Sequence, residues 1–600
     1  MSHPGFVSRL NDQDRELYEK KVAVAGFYRQ NRIPEEMEKA LNRLFFKQPE
    51  DVHGYLASYF TKLSAAPRIN RLNGRKVYDT RGQLSVEVEV FCIICNEEQN
   101  VCSASVSSCF GSNEYSVDWK PNCQERAEHV KTAIEWINEP LNDMLKGYNP
   151  CDQSQIDHLL SKFFMTQYLE WKDILQRKEE EKIYGSGESD DGCPPPTAAA
   201  PTKEKRGDSR AKKTTSIEKA LPPTEPTEPV VPGSLGIGSV SLAVAKAGAK
   251  VQGIPLYKHI ASLKTQETPA QLHIPICLVT LMSCGKGSPG KLRLMEEVIL
   301  IPKAGQSVTE IITMTFELQK EMMKIMNAST KAGVTQAVMH DSGAPILGFE
   351  RAEQPLELVA EASANLGLAL GAEIYLAVNC AAAELMDHSK GKYEVATGMF
   401  KSPDELLDLY QSLINKFPAL VALINPFRKE DNEQWEKLRN ANTDSCSLLF
   451  EGKAPPPPAV RGYVVKHIHD TTVSDLVHFA SEKQGNRLTD SELQFRQERK
   501  RHVSLRHCVL PPQAVGLGLD YIKLGGLIGA ERMTKYNRLL SIEEELAQRG
   551  AQVYKESHSA PLPAEKIKEA QMLHEQTQQE LQQQQQQQDM AEAEGAPSEA

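Results

Sequence analysis

The sequence predicts an α/β barrel in the C-terminal half of the chain, preceded by a smaller α+β domain and a small all-α module. Between His273 and about Ala551 strand-like apolar runs alternate with helix-like segments, over a length sufficient for a barrel. Helices are expected between the strands, as at Pro355–Leu370 and Pro403–Lys416. The runs expected to form strands are Ile274–Met282, Glu297–Ile301, Ile374–Val378, Leu420–Ile424, Ser447–Phe450 and Tyr463–Val465.

Composition excludes several classes of protein. The chain has 600 residues, of which 40% are hydrophobic and 25% charged, as is ordinary for a soluble protein of several domains. No apolar run reaches the roughly 18 residues that span a bilayer, and the first residues lack the apolar core of a signal peptide. Twelve cysteines are too few for a disulfide scaffold, so a reducing, cytoplasmic setting is expected. A net charge of −11 argues against nucleic acid as a partner.

The N-terminal module is assigned to residues 1–66. Within it, Ile33–Leu63 is expected to form two amphipathic helices separated by the turn Gln48–Asp51. Two short helices cannot bury both of their apolar stripes. They are therefore expected either to dimerise and dock a partner or to pack as a hairpin on the rest of the chain. The stripes consist of Met37, Leu41, Leu44 and Phe45, and of Val52, Tyr55, Leu56, Tyr59, Phe60 and Leu63.

The α+β domain is assigned to residues 67–270, the barrel to 271–555 and a polar, Gln-rich and acidic tail to 556–600. Strands are expected at Ser85–Val90 and Phe91–Asn96, and helices at Arg126–Asn138 and Ser154–Gln176. The stretch Arg177–Pro232 is rich in Lys, Glu, Pro, Thr and Ser. Such a composition predicts a disordered insertion that interrupts the α+β domain.

A lysine stands at the end of an expected strand in Tyr521–Leu546. Lys523 follows two apolar residues and precedes Gly525–Gly526, after which an amphipathic helix begins. A barrel enzyme can place an anion-binding group at such a position. The alternative is a lysine whose alkyl chain packs at the strand end while its charge reaches solvent.

Several blocks of the sequence resemble the enolase family, and within it the divergent fourth type found in vertebrate sperm. The resemblance extends from about Asn73 to Ala551. Separately, QPEDVHGYLASYFTKL resembles the second helix of the dimerisation/docking module of protein kinase A regulatory subunits, which binds anchoring helices. The enolase-like blocks are Val77–Gly82, Ser85–Val90, Val240–Ile260, Leu292–Pro302, Ser402–Leu413, Pro426–Phe427 and GAERMTKYNRLLSIEEEL.

The enolase resemblance implies a set of catalytic and substrate-binding residues. Lys466 matches the lysine that accepts the proton, and Lys523 matches the second active-site lysine. Glu296, in KLRLMEE, matches the carboxylate of the KLAMQEF-type block. Asp341, in VMHDSGAP, stands where the family has a glutamate, and is one methylene shorter. The remaining two candidates bind substrate: Arg506 resembles the phosphate-binding arginine, and Ser112 lies next to the position of the family serine.

The expected cofactor is Mg²⁺, held more weakly than in the family. The three acidic metal ligands of the family align with Asn379, with Ile424 and with either Phe450 or Glu451. Asn379 and Glu451 are thus the candidate ligands, and Ile424 has no oxygen to offer. Because Mg²⁺ prefers hard, usually charged oxygen ligands, its affinity should fall sharply.

Three functions are consistent with these residues. The first is an enolase-type lyase that interconverts 2-phosphoglycerate and phosphoenolpyruvate, as a homodimer or as a heterodimer with another enolase. The second is a weak or inactive relative that anchors glycolytic enzymes or pairs with an active enolase subunit. The third is a metal hydrolase using His467 and His469. The docking resemblance implies an A-kinase anchoring protein as partner, and the sperm-type resemblance implies the flagellum as location.

One further motif is set aside. Gly285–Lys291 fits the pattern G-x-x-x-x-G-K, but Leu292 stands where a phosphate-binding loop has a Ser or Thr that holds Mg²⁺. Pro289 also stiffens the loop. A phosphate-binding loop is therefore not expected here.

Overall fold

A computed structural model of the 600-residue chain gives the positions of its helices and strands. By its internal contacts the chain divides into two compact units. Met1–Asn70 and Cys92–Gln99 form the first unit, and Arg71–Phe91 and Asn100–Ala600 form the second. The described residues are 11–78, 82–106, 119–185, 230–265, 269, 271–329, 338–442, 445–451, 457, 459–465, 470–484, 502–506, 511–550 and 552–553.

Three helices make up most of the first unit: α1 Asp12–Gln30, α2 Ile33–Lys47 and α3 Val52–Leu63. Helix α3 begins after Asp51, whose Oδ1 accepts a hydrogen bond from the backbone of Gly54 at 2.8 Å. Helices α2 and α3 are those expected from the sequence. Helix α1, which has no buried residue, was not expected from the sequence.

The apolar stripe of α2 remains exposed in this chain. Phe45 and Phe46 are 70% and 84% exposed, and Arg43 stacks its guanidinium on the ring of Tyr59 with 5.4 Å to the centroid. Other large apolar side chains of these helices are also exposed, which is unusual for a stable surface. They are Leu17, Val22, Val24, Phe27, Tyr28, Ile33, Met37, Leu41, Val52, Phe60 and Leu63.

A three-stranded sheet follows, in the order β1–β2–β3, with β1 at Arg68–Tyr78, β2 at Leu84–Ile94 and β3 at Glu97–Ser105. The two strands expected at Ser85–Val90 and Phe91–Asn96 are one continuous strand, β2. The reversal comes at Cys95 and Asn96, with φ of 52° and 66°. Two consecutive positive φ values are typical of a two-residue hairpin turn.

The helices of the α+β domain include the two that were expected, but one of them is longer. Arg126–Asn138 falls within α4 and the π-helical turn Ile137–Leu141 that continues it. The helix expected at Ser154–Gln176 continues to Gly185, so the start of the insertion at Arg177 was wrong. Residues 186–229 of that insertion lie outside the described residues. The helices are α4 Trp119–Trp136, α5 Asn142–Leu145, α6 Gln153–Gly185, α7 Leu235–Val251 and α8 Leu256–Thr265.

A buried carboxylate joins α6, α7 and the barrel helix Val473–Gln484. Asp157 is 1% exposed and accepts hydrogen bonds from Gln153 Nε2 at 2.9 Å and Ser241 Oγ at 2.6 Å. The other carboxylate oxygen of Asp157 accepts hydrogen bonds from the backbone N–H of Ser474 at 2.9 Å and from its hydroxyl group at 2.7 Å. Ser241 Oγ also accepts from Val473 N at 2.8 Å. Buried polar groups need such partners, so this network fixes the helices of the α+β domain on the barrel.

Eight strands close into a barrel. Going round the ring, the order is β5, β6, β7, β11, β12, β13, β14 and β15, which pairs again with β5. Strand β6 is antiparallel to β5 and β7, and the other pairs are parallel. The strands are β5 Ile276–Met282, β6 Glu297–Pro302, β7 Ile374–Asn379, β11 Leu420–Ile424, β12 Ser447–Glu451, β13 Gly462–Val465, β14 His502–Arg506 and β15 Tyr521–Gly525.

Helices surround the barrel, as expected for alternating strands and helices. The six strands expected from apolar runs are confirmed, whereas β14 was not expected. Short strands pair outside the barrel: β4 Leu272–His273 with β16 Gln552–Val553, and β8 Met386–Asp387, β9 Lys392–Ala396 and β10 Met399–Lys401 in a small sheet. The helices are α9 Val308–Ser329, α10 Gln354–Asn365, the 3₁₀ turn Ala382–Leu385, α11 Pro403–Lys416, α12 Asn432–Ala441, α13 Val473–Gln484, α14 Pro511–Leu517 and α15 Ala530–Gln548.

Two apolar cores lie on the two faces of the barrel sheet. The larger lies between strands and helices and includes Trp435, Leu448 and Phe450. The smaller draws alternate residues from the strands and fills the barrel interior, because alternate side chains of a strand face one side. Among the described helices, none is long and apolar enough to cross a bilayer. The interior residues are Ile276, Leu278, Ile299, Ile301, Tyr375, Ala377, Val421, Ala422, Ile424, Leu449, Val464 and Tyr521.

Because α6 ends at Gly185, the boundary of the insertion can be tested with two deletions of different length. Replacing residues 188–228 by a short Gly/Ser linker should leave the melting temperature within about 2 °C of wild type, because a polar, proline-rich stretch buries little. Replacing 177–232 should lower it clearly, since that deletion also removes the last turns of α6 and the buried Val231. Thermal unfolding followed by circular dichroism measures both. Equal melting temperatures for the two deletions would contradict the placement of the boundary.

Candidate active site

The candidate residues converge at the end of the barrel where the parallel strands finish. Asn379 is the last residue of β7, Glu451 the last of β12, and Lys523 lies near the end of β15. The backbone of Arg506 ends β14, but its side chain is outside the described part of the chain. Lys466, which directly follows β13, is also outside it. So are Ser112, His467 and His469.

Strand alternation shows which of these side chains enter the barrel. Ala377, Leu449 and Tyr521 belong to the interior core, and the residue two positions further along each strand lies on the same face. Those residues are Asn379, Glu451 and Lys523. By the same rule Thr280 and Glu297 lie above Leu278 and Ile299. Glu297 pairs with Asn379 in the antiparallel ladder of β6 and β7.

Glu297 and Lys523 form a buried ion pair at this level of the barrel. Each side chain is 2% exposed, and Lys523 Nζ donates to Glu297 Oε2. The same oxygen accepts from Asn379 Nδ2 at 3.0 Å, and Thr280 Oγ1 lies 3.5 Å from Glu297 Oε1. A buried charge without a partner is strongly unfavourable, so each ion depends on the other. Sequence reasoning identified Lys523 but not its partner.

A signal for Glu297 was present in the sequence. It stands at the first position of the run Glu297–Ile301, which was expected to be an apolar strand. In the KLAMQEF-type block, the position after the matching glutamate holds phenylalanine, not an acid. A carboxylate within a strand that is otherwise buried on both sides needs a cation nearby, and Lys523 supplies it.

The described residues do not assemble a magnesium site. Asn379 donates to Glu297, and its Oδ1 lies 3.3 Å from Ala381 N. Ile424 lies in the interior core without a ligand atom. No group of three or more His, Cys, Asp or Glu side chains that could hold a metal occurs among the described residues.

Phe450 and Glu451, the two candidates for the third ligand position, are consecutive residues at the end of β12. Phe450 packs outside the barrel, with its ring centroid 6.4 Å from that of Trp435. Glu451, the next residue, therefore lies on the interior side. Its backbone N–H donates to Asn425 Oδ1 at 2.9 Å, and its carbonyl accepts from Asn425 Nδ2 at 3.2 Å. Of the two alternatives, Glu451 is thus the residue at the barrel mouth.

Glu296 lies on the loop side of the same strand end. Its backbone N–H donates to Asn379 O at 2.9 Å. Its carboxylate rests on Gly285, where a Cβ atom would overlap Glu296 Oε2. Gly290 likewise packs against the backbone of Phe349, and a Cβ there would overlap it. The two glycines of the G-x-x-x-x-G-K pattern are thus required by close packing, which agrees with the rejection of a phosphate-binding loop.

The side chain facing Glu296 from the next loop is His340. His340 Nε2 lies 3.7 Å from Glu296 Oε1. Its Nδ1 accepts from Ser342 N at 3.1 Å, and Ser342 Oγ lies 2.9 Å from it. Because a backbone N–H only donates, neutral His340 carries its proton on Nε2, toward Glu296. Asp341, the residue expected here from the sequence, is solvent-exposed, and its carbonyl accepts from Arg532 Nη2 at 2.8 Å.

Close backbone contact ties this turn to the loop that follows Lys523. Gly526 N donates to Ser342 O at 2.7 Å, and Ile528 N donates to Gly343 O at 3.0 Å. Gly343 has φ of 76°, and a Cβ atom at Gly526 would overlap Gly343 O. Neither glycine can be replaced without displacing the loop. The positions of His340 and Lys523 are therefore set by the same contact.

Comparison with known proteins identifies the family. The family model "Enolase, C-terminal TIM barrel domain" matches residues 271–450. Enolase 4 of Danio rerio is 42% identical over 560 residues, covering 91% of this chain and 95% of that protein. The chain belongs to the enolase family. Enolase 4 of Xenopus laevis is 41% identical over 560 residues, covering 91% of this chain and 95% of the relative. Enolase 4 of Homo sapiens is 41% identical over 587 residues, covering 91% of each chain.

Membership of the enolase family confirms two sequence-based predictions. The first is the family itself, together with its fourth type, since the relatives named above are all Enolase 4. The second is the fold, an enolase-type barrel preceded by an α+β region and a helical segment. The assignment of individual site residues and the docking resemblance remain predictions.

The Gly526 contact yields a test of how the site is held. Gly526→Ala should destabilise the protein by about 1–3 kcal/mol, because its methyl group must displace the backbone at Gly343. Gly26→Ala is the matched control: nothing lies within 4 Å of that Cβ, and alanine favours the interior of α1. Urea unfolding of both full-length variants measures the effect. Equal stability of Gly526→Ala and wild type would show that the two loops do not touch as described.

Proposed function

We propose that this protein is an enolase-type lyase acting on 2-phosphoglycerate, with low activity. Lys466 takes the proton from the substrate carbon next to the substrate carboxylate. The substrate hydroxyl group then receives a proton from Glu296 and leaves as water. The products are phosphoenolpyruvate and water. Family membership supports this reaction class. Lys466 follows directly on the last residue of β13, and Glu296 and Lys523 lie at the same end of the barrel.

The observation that carries this proposal is the contact between His340 and Glu296. His340 Nε2 faces the Glu296 carboxylate at 3.7 Å, where its N–H can orient that carboxylate toward the substrate. We assign His340 a positioning role, whereas Asp341, expected from the sequence to be catalytic, is solvent-exposed. Because it acts through Glu296, it is a positioning residue and does not itself react.

A second candidate function is a weak or inactive enolase relative that acts as a scaffold or as partner subunit of an active enolase. The observations that favour it are the buried pair Glu297–Lys523 and the apolar side chain of Ile424. Enolases generally use Mg²⁺, and the residues described at the barrel mouth do not make up a site for it. A lyase with this site should therefore be slow.

A continuous assay for phosphoenolpyruvate separates the two functions. We expect slow conversion of 2-phosphoglycerate that appears only at high Mg²⁺ concentration, because Asn379 lacks a charge and Ile424 lacks a ligand atom. Lys466→Ala should abolish the activity, since the proton acceptor is lost. An equally active Lys466→Ala preparation would point to contaminating host enolase and contradict the proposed base. Complete inactivity of the wild type would favour the scaffold function.

The same assay tests His340. His340→Leu should lower kcat at unchanged KM, whereas His340→Gln, which keeps an N–H donor, should recover part of the loss. A loss that is equal in both variants would contradict a role for the N–H that faces Glu296.

We further propose that helices α2 and α3 tether this enolase, as a dimer, to an anchoring helix in the sperm flagellum. The resemblance of QPEDVHGYLASYFTKL to a docking module supports it, as do the exposed apolar side chains of these helices. Tethering would supply phosphoenolpyruvate, and from it ATP, close to a motor without reliance on diffusion. The partner would be an A-kinase anchoring protein.

Fluorescence anisotropy with an amphipathic anchoring-helix peptide tests the tether on the full-length protein. Wild type should bind, and the variant Leu56→Asp/Phe60→Asp should lose at least 10-fold in affinity, because charges then enter the apolar face. Lys62→Asp, an exposed position of the same helix, should bind like wild type. A wild-type protein without affinity for the peptide would contradict the proposed tether.

A further inference from the structure

The main chain at Arg293 is fixed by pairing with strand β9. Arg293 N donates a hydrogen bond to Val395 O at 2.9 Å, and Leu294 N approaches the same oxygen at 3.2 Å. The side chains on either side of Arg293, Leu292 and Leu294, are buried in the larger core. Because alternate side chains of an extended segment face opposite sides, the Arg293 side chain lies on the side away from that core.

The guanidinium group of Arg293 holds two carbonyl groups of the loop that precedes it. Arg293 Nη1 donates to Lys286 O at 2.5 Å and to Ser288 O at 3.3 Å, and Nη2 donates to Thr397 Oγ1 at 3.1 Å. The planar guanidinium donates in several fixed directions at once, and hydrogen bonds from a charged donor are stronger than neutral ones. The side chain therefore joins the Gly285–Gly290 loop to the turn between β9 and β10.

The same loop supports the carboxylate of Glu296. A Cβ atom at Gly285 would lie 1.8 Å from Glu296 Oε2, so the carboxylate rests on the backbone of Gly285. Ser288 N donates to Gly285 O at 3.0 Å, which connects the carbonyl groups held by Arg293 to this point of contact. The loop thus lies between Arg293 and Glu296, and its displacement would remove the support of the carboxylate.

We propose that Arg293 is a positioning residue, which holds the Gly285–Gly290 loop against Glu296 and so sets the orientation of the Glu296 carboxylate. The inference rests on the proposed lyase function, in which Glu296 delivers a proton to the leaving hydroxyl group. The KLAMQEF-type block has an alanine at the position of Arg293, and alanine has no side-chain donor. The contact of this loop with a guanidinium group therefore distinguishes this chain from that block.

Separate supports hold the two carboxylate oxygens of Glu296. Gly285 lies against Oε2, and His340 Nε2 faces Oε1 at 3.7 Å. A catalytic group must be held within about 0.5 Å of its productive position. Loss of either support allows the carboxylate to rotate, so Arg293 and His340 should affect the same step of the reaction.

Chemical labelling of Cys284 tests the contact without turnover. Cys284 is 0% exposed and directly precedes the loop, and its carbonyl accepts from Ser288 Oγ at 3.3 Å. In full-length protein, Arg293→Ala should raise the rate of Cys284 modification by N-ethylmaleimide about 10-fold, because the loop then opens locally. Peptide mass spectrometry measures this rate. The matched control is Lys291→Ala, which removes a nearby charge that pairs with Glu350 at 2.8 Å and should leave the rate unchanged. Equal rates for Arg293→Ala and wild type would overturn the proposal.

Turnover distinguishes a positioning role from a merely structural one. Arg293→Ala should lower kcat about 10-fold while KM stays within about 2-fold, because Glu296 acts when the hydroxyl group leaves. Guanidinium chloride at about 20 mM, far below the molar concentrations that unfold proteins, should restore part of kcat in this variant and none in Lys291→Ala. Faster labelling with unchanged kcat would contradict the positioning role. A wild type without turnover would contradict the lyase function, and the labelling rates would still decide whether Arg293 holds the loop.

Discussion

The ion pair between Lys523 and Glu297 sets the chemistry that this barrel can perform. Both charges lie within the barrel, and neither can be removed from its partner at low energetic cost. The pair therefore fixes the end of β15 relative to the start of β6, on opposite sides of β5. It also places a carboxylate of the protein itself beside the Lys523 ammonium.

The loops above the pair depend on a second constraint, the approach of two backbones at Gly343 and Gly526. The chain leaves the barrel after Lys523, bonds to the turn that carries His340, and enters α15. Tyr536 of that helix donates its hydroxyl proton to Gly525 O at 2.8 Å and so fixes the start of the loop. The residues around Glu296 are thus positioned by main-chain contacts, which leave little freedom for the side chains.

Most of the barrel could be predicted because its strands are buried on both faces and read as continuous apolar runs. Strand β14 was not predicted, because its sequence HVSLR alternates polar and apolar residues and forms no such run. Helix α1 was not predicted either, and none of its residues is buried. In the site, Lys523 was predicted from its place at a strand end. Its partner Glu297 was overlooked inside a run treated as apolar, although a buried acid requires a cation. The contact of His340 with Glu296 could not be predicted, since it depends on how two distant loops meet.

The central claim is that the described residues at the barrel mouth do not make up a strong metal site, so that any lyase activity is low. The most direct measurement is a crystal structure of the protein soaked with 2-phosphoglycerate and Mn²⁺, with anomalous scattering recorded at the manganese edge. The account predicts that Lys523 stays paired with Glu297 and that no anomalous peak lies within bonding distance of Asn379 or Glu451. An ordered Mn²⁺ ion bonded to either side chain, with Lys523 turned away from Glu297, would contradict it.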